Sequence, residues 1–141
     1  MRSVLEQECL RLVEVRGEPE VLELLGRVAV DLVILNATSP NLNALECCRR
    51  IRANRQTESV PILMLADAEQ NEVYSEALSS GADEFLATPL HPEAFRMRIR
   101  SLLRQKAMSD RLDATEAILF ALARAVEMRD HHTGGHCERL A

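Results

Sequence analysis

Three short apolar runs each stop at residues that could meet a ligand. Leu32-Val33-Ile34-Leu35 ends at Asn36, the run from Val60 to Leu65 ends at Ala66-Asp67, and Glu84-Phe85-Leu86 ends at Ala87-Thr88-Pro89. Apolar runs of this length, bounded by turn residues, read as buried strands. In an open parallel sheet the carboxyl ends of the strands share one edge, and ligands are held there. The edge expected here offers an amide, a methyl and a hydroxyl. An amide is a poor nucleophile, because it carries no formal charge and its lone pair is delocalised. Asp67 lies close by, but with Gln70 three residues on it reads as the cap of the following helix.

A second candidate lies near the end of the chain. His132 and His136 are spaced i, i+4, which on a helix would bring both rings to one side, as zinc or iron requires. Gly134-Gly135 between them predicts a turn instead, and an exposed tail.

The elements that must position these residues are legible from periodicity. Ser3 to Leu10 reads as a short helix and Arg11 to Val15 as an alternating edge strand. Pro19 opens a helix with Val21, Leu22, Leu24 and Leu25 on its apolar face. Asn43 and Glu46 form a capping box for a helix reaching about Ala53. A helix after Asp67 stops at Gly81. Pro92 opens another, in which Phe95, Ile99, Leu102 and Leu103 recur at helical spacing. Strands alternating with helices imply a parallel sheet.

No glycine or proline interrupts residues 92 to 130, so that helix is expected to run on, with a break near Met108-Ser109-Asp110. Leu112, Thr115, Leu119, Leu122 and Val126 then repeat with 3-4 spacing. A coupling coiled coil and the first core helix of a further domain both fit this pattern.

The chain has 141 residues, 47% of them hydrophobic and 28% charged, a balance that suits one ordinary globular domain and part of another. A net charge of -5 gives no basic surface for nucleic acid, and no apolar run approaches a membrane span. Cys9, Cys47, Cys48 and Cys137 fit no zinc or disulfide spacing and read as free thiols of a cytoplasmic protein. Arg96, Arg98, Arg100, Arg104 and Lys106 make a basic stripe, either a solvated helix face paired with acidic residues or a partner contact.

The segments Asp31 to Asn36, Pro40, Glu46 to Arg52, Val60 to Leu65, Ser80-Gly-Ala-Asp-Glu-Phe-Leu86, Thr88-Pro89 and Ser101-Leu-Leu-Arg104 resemble the receiver domain of two-component response regulators. The resemblance implies a flavodoxin-like α/β fold with strand order 2-1-3-4-5. Its central first strand is missing here, because the alignment puts Met1 inside the first helix. A start upstream of Met1, a second strand that slides in beside the Asn36 strand, or another chain would each fill the gap. By the same resemblance Asn36 stands where the family has its phosphate-accepting aspartate. Ala66 stands for the switch Ser/Thr, Thr88 for the lysine, and Pro89 keeps the family's proline. The acidic pair at the end of the first strand is absent. Four losses together imply a pocket that neither accepts phosphate nor binds Mg²⁺, and no cofactor.

Residues 121–130, followed by Thr133-Gly-Gly-His136-Cys-Glu-Arg139, look like the opening of an HD-GYP domain, the metal-dependent phosphodiesterases of cyclic di-GMP. In that family a histidine at the position of His136 contributes to the metal centre, and the position of His132 supplies a ligand in some members. The His-Asp and Gly-Tyr-Pro motifs are absent here, so this chain is not expected to be an enzyme. The organisation expected is a receiver-like domain over 1–105, a helical linker over 106–112 and the beginning of an HD-GYP-like domain over 113–141. The function expected is phosphorelay signalling by protein contact. A non-phosphorylatable module would dock to protein partners, or self-associate through the last receiver strand and helices, without nucleic acid or membrane. The alternative is the regulatory front of a cyclic di-GMP phosphodiesterase.

Overall fold

The computed structural model describes residues 2–8, 10–68 and 71–138, with the side chains at 71–74 and 128–138 left aside. The elements in order are α1 (Arg2–Glu6), α2 (Glu18–Arg27), β1 (Val33–Asn36), α3 (Ala44–Ala53), β2 (Ile62–Asp67), α4 (Asn71–Ser79), β3 (Glu84–Thr88) and α5 (Pro92–Glu138). All strands are parallel, in the order β1-β2-β3. They take the places of the third, fourth and fifth strands of the receiver order.

The central strand β2 sorts the core into two layers by simple alternation. Ile62 and Met64 pack with Val33 and Leu35 of β1, Val21 of α2 and Ala44, Cys47, Cys48 and Ile51 of α3. Leu63 and Leu65 face the other way, against Leu5 of α1 and Phe95, Ile99 and Leu102 of α5. Burying such a side chain fully contributes about 1.5–3 kcal/mol, so β2, covered on both faces, anchors the fold. Cys47 and Cys48 are free and buried. Burial pushes the Cys47 thiol up to about 11, so it stays neutral and acts as packing.

Local signals set several helix ends. Asn43 Oδ1 accepts from the Glu46 amide at 3.1 Å, which caps α3. The Glu46 carboxylate turns to Arg49 (3.3 Å), so the capping box is made on one side only. After α4, Gly81 has φ 99°, its amide bonds to Leu78 O and the Ala82 amide reaches back to Ala77 O, both at 3.2 Å. This is a Schellman closure, and Ala77 and Ala82 are both buried beside it.

Several expectations fail. α1 is shorter than Ser3 to Leu10, ending at Glu6 with Glu8 N bonded to Leu5 O at 3.1 Å. No strand forms at Arg11–Val15: residues 10–16 have no regular structure, because no neighbouring strand lies beside them to complete a ladder. That segment has not slid against β1. A slot of about 520 Å³ separates them, with Leu12, Val13 and Val15 on one side and Val33, Ile34 and Leu35 on the other. Asp67 is the last residue of β2 and lies opposite Thr88 in the ladder, and α4 begins at Asn71. Its expected companion Gln70 lies outside the described residues.

Helix α5 has no break near Met108-Ser109-Asp110, because Ser and Asp lack the steric block that proline brings to a helix interior. It also passes through Gly134-Gly135 instead of turning there, since glycine weakens a helix yet keeps its N–H donor. The chain divides into two compact units, Met1–Lys106 and Ala107–Ala141.

Candidate functional site

The register of the sheet brings the strand ends together. Asn36 lies opposite Leu65, Ala66 opposite Ala87, and Asp67 opposite Thr88, with Pro89 next after a cis peptide bond. Asn36, Ala66, Thr88 and Pro89 therefore sit at one edge. Asp67 joins them, and it is the one carboxylate among the described residues of the three strand ends.

Three side-chain oxygens at this edge, Asn36 Oδ1, Thr88 Oγ1 and Asp67 Oδ1, are hydrogen-bonded within it. Asn36 Oδ1 accepts from the Thr38 amide at 3.1 Å and from the Thr38 hydroxyl at 2.8 Å. The Asn36 carbonyl accepts from Ser39 N at 3.2 Å, so the residue closes its own turn. Thr88 Oγ1 lies 2.6 Å from Asp67 Oδ1, to which it donates, and 3.3 Å from Ala66 O. Ala66 is fully buried and brings no polar atom. No lysine or arginine stands among these strand-end residues.

The other candidates are placed as follows. Positions 132 and 136 both fall within α5, and their side chains lie outside the described ones. Among the described residues no group of three or more His, Cys, Asp or Glu could hold a metal ion. The basic stripe of α5 is largely paired within the chain. Glu8 meets Arg96 at 3.2 Å and Arg100 at 2.7 Å, and Arg98 meets Glu84 at 3.1 Å. The Arg100 hydrogen bond holds the Glu8 carboxyl below its ordinary range. Among the described residues no helix is long and apolar enough to cross a membrane.

Two residues matter more than their sequence context suggested. Asp67 supplies the one carboxylate among the described strand-end residues. Arg52, near the end of α3, ties several segments together. Its Nε donates to Gly81 O at 2.8 Å, its Nη1 to Glu58 O and Val60 O at 2.6 Å each, and its Nη2 to Asp83 Oδ2 at 2.5 Å. Asp83 Oδ2 also accepts from Ile62 N at 2.7 Å, which fixes the entry to β2. Only the Arg52/Asp83 spacing to the strand starts could have signalled this bridge.

Comparison with known proteins agrees with this architecture. Residues 1–119 match the family described as response regulator receiver domain, and the chain belongs to that family. Among curated relatives, response regulator ArlR of Staphylococcus haemolyticus is 36% identical over 83 residues, covering 59% of this chain and 36% of ArlR. The cyclic di-GMP phosphodiesterase response regulator RpfG of Xanthomonas campestris pv. campestris is 30% identical over 131 residues, covering 79% of this chain and 35% of RpfG. The chain spans about a third of the length of the curated relatives it matches first, 36% and 34%.

Solved structures agree on the fold. A CheY-like receiver domain protein from Methanospirillum hungatei superposes with TM-score 0.67 at 18% identity, covering 77% of this chain and 85% of that one. The receiver domain of sensor histidine kinase PA1611 from Pseudomonas aeruginosa, solved with magnesium in its active-site cleft, gives 0.65 at 20%, covering 72% and 84%. The fold is the flavodoxin-like receiver fold, a parallel sheet flanked by helices.

Proposed function

We propose that this chain is a non-phosphorylatable receiver that signals by protein contact, within a two-component pathway and in the cytoplasm. One observation carries the reading: the strand-end edge presents an amide oxygen closed on its own loop and a hydroxyl closed on Asp67, with no lysine or arginine among the described strand-end residues. Phosphoryl transfer to a receiver needs an ionised carboxylate to attack phosphorus. Asn36 cannot supply it. The transferred group also needs a cation on its oxygens, and Thr88 offers a neutral hydroxyl.

The residues present do not fit Mg²⁺. That ion takes near-octahedral oxygen ligands, including one or two carboxylates. Among the described strand-end residues Asp67 is the one carboxylate, with Oδ1 already accepting from Thr88. With switching chemistry removed, what remains is a folded surface for protein partners, and self-association belongs to the same reading.

Incubation with acetyl phosphate and Mg²⁺, followed by intact mass, tests this. The expected result is no phosphoryl mass on the wild-type chain or on Asn36→Asp, since that variant still has Ala66 and Thr88. A phosphoryl mass on any residue of the wild-type edge would refute the reading.

A second reading has its own support: the similarity to RpfG extends over 79% of this chain. Together with Thr133-Gly-Gly-His136, it favours a chain that forms the regulatory front of a longer cyclic di-GMP phosphodiesterase, with His136 and His132 as metal-centre candidates there. The 141-residue chain alone should not hydrolyse cyclic di-GMP in Mn²⁺ or Fe²⁺. Turnover above a metal-only control would contradict this.

A further inference from the structure

Beyond Lys106, α5 exposes several large apolar side chains, Ile118 and Phe120 included, and most of them fall on one regular stripe. Met108, Leu112, Leu119, Leu122 and Val126 are each 58–65% exposed, and Thr115, among them in sequence, is exposed as well. Their spacing runs 4-3-4-3-4, the signature of a heptad seam with Leu112, Leu119 and Val126 at a and Met108, Thr115 and Leu122 at d. The seam is about 27 Å long at 1.5 Å per residue. An apolar strip of this length left in water marks an interaction surface.

We propose that a second copy of this chain covers this stripe, forming a parallel two-stranded coiled coil over residues 108–126. The flanking charges select both the occupant and its direction. The g positions are Arg111, Ile118 and Ala125, and the e positions are Ser109, Glu116 and Ala123. In a parallel pair each g faces the e of the next heptad on the other helix. Arg111 then meets Glu116 of the second copy, twice by symmetry, and Ile118 meets Ala123 of the second copy. In an antiparallel pair g faces g and e faces e, and those sets contain no opposite charges. Among the described residues no ion pair within the chain occupies Arg111 or Glu116.

The seam is short, and an isolated helix of this length would be marginal in water. Here it continues a helix that begins at Pro92 and is fixed in the core by Phe95, Ile99 and Leu102, which are 1–3% exposed. Above Met108 the seam stops, because the preceding a and d positions are Gln105 and Ser101. This dimer rests on the reading of the chain as a contact module, but not on the state of the Asn36 edge.

Sedimentation of the full chain tests the count, and paired variants test the seam. The expected mass is twice 15.8 kDa. Leu119→Asp should return it to one chain with the circular dichroism of the folded receiver retained, since Leu119 is 60% exposed. Arg111→Glu and Glu116→Arg should each weaken the dimer, and the double reversal should restore it. With Cys9 and Cys137 changed to Ser, Leu119→Cys should form a disulfide dimer under mild oxidant, and Phe120→Cys, off the seam, should not. A monomer at the highest workable concentration overturns the proposal, as does a dimer unaffected by Leu119→Asp. A trimer overturns the two-stranded count. A dimer in which Leu119→Cys fails to cross-link overturns the parallel direction. Failure of any of these leaves the phosphodonor result unchanged, so the two readings fail separately.

Discussion

The Thr88 hydroxyl donates to the Asp67 carboxylate at 2.6 Å, across the register that sets β2 and β3 side by side. This bond ties the ends of β2 and β3 together and takes up one oxygen of the Asp67 carboxylate. A hydrogen bond to a charged acceptor contributes more than a neutral one, but Asp67 is exposed and water can replace the donor. Thr88→Val should therefore lower stability by about 1 kcal/mol, read as a shift of the urea midpoint with unchanged slope. No shift would mean that the bond is not held in solution.

Arg52 ties together the ends of α3, α4 and the approach to β2. Truncation to Ala leaves three carbonyls and the Asp83 carboxylate without the guanidinium that now serves them. The expected loss is about 2–3 kcal/mol in urea denaturation. Arg52→Lys should recover less than half, since one ammonium cannot match a planar fork. Equal stability of the lysine variant and the wild type would show that charge alone matters.

Glu8 joins the end of α1 to α5 through Arg100, with Oε2 2.7 Å from Arg100 Nε and Oε1 2.9 Å from Arg100 Nη2. Its carboxyl titrates lower in the folded chain than in the unfolded one. The contribution is therefore present above the ordinary glutamate range and is lost as pH falls through the folded-state value. Melting temperature measured against pH should fall across that acidic window, and Arg100→Met should flatten the fall. An unchanged profile in the variant would remove Glu8 from the acid response.

The outer edge of β1 is open. Val33 N bonds to Pro61 O at 2.9 Å and Ala37 N to Leu65 O at 2.7 Å, so the odd residues face β2 and the even ones face the slot. Among the described residues no hydrogen bond reaches the amides of Ile34 or Asn36. Native-state hydrogen exchange should find these two faster than Val33, Leu35 and Ala37. Protection of Ile34 equal to that of Leu35 would show that a strand pairs there in solution.

Much of this fold was legible because its signals are local. The alternation in β2, the Asn43 cap and the Gly81 stop each act within a few residues, and the three strand ends followed from where apolar runs met turn residues. The failures came from relationships that sequence distance hides. Arg11–Val15 has strand periodicity, yet a strand exists only with a neighbour, and the adjacent place is a slot. Asp67 has the type and spacing of a cap, and nothing local announces that its carboxylate also meets Thr88, twenty-one residues on. Gly134-Gly135 looked like a stop, although glycine only weakens a helix. The convergence of Asn36, Ala66 and Thr88 was readable from the strand order; the closing of Asn36 on Thr38 was not, because it depends on the turn geometry.

The central claim is that the strand-end edge does not take up a phosphoryl group. The most direct measurement is an amide NMR titration of the wild-type chain with beryllofluoride and Mg²⁺, followed at residues 36, 38, 66, 67 and 88. Beryllofluoride mimics the phosphoryl group on a receiver carboxylate, and here Asn36 offers an amide already bonded to Thr38. The account predicts that these resonances stay in place at saturating reagent. Saturable shifts centred on residues 36, 66 and 88 would contradict it.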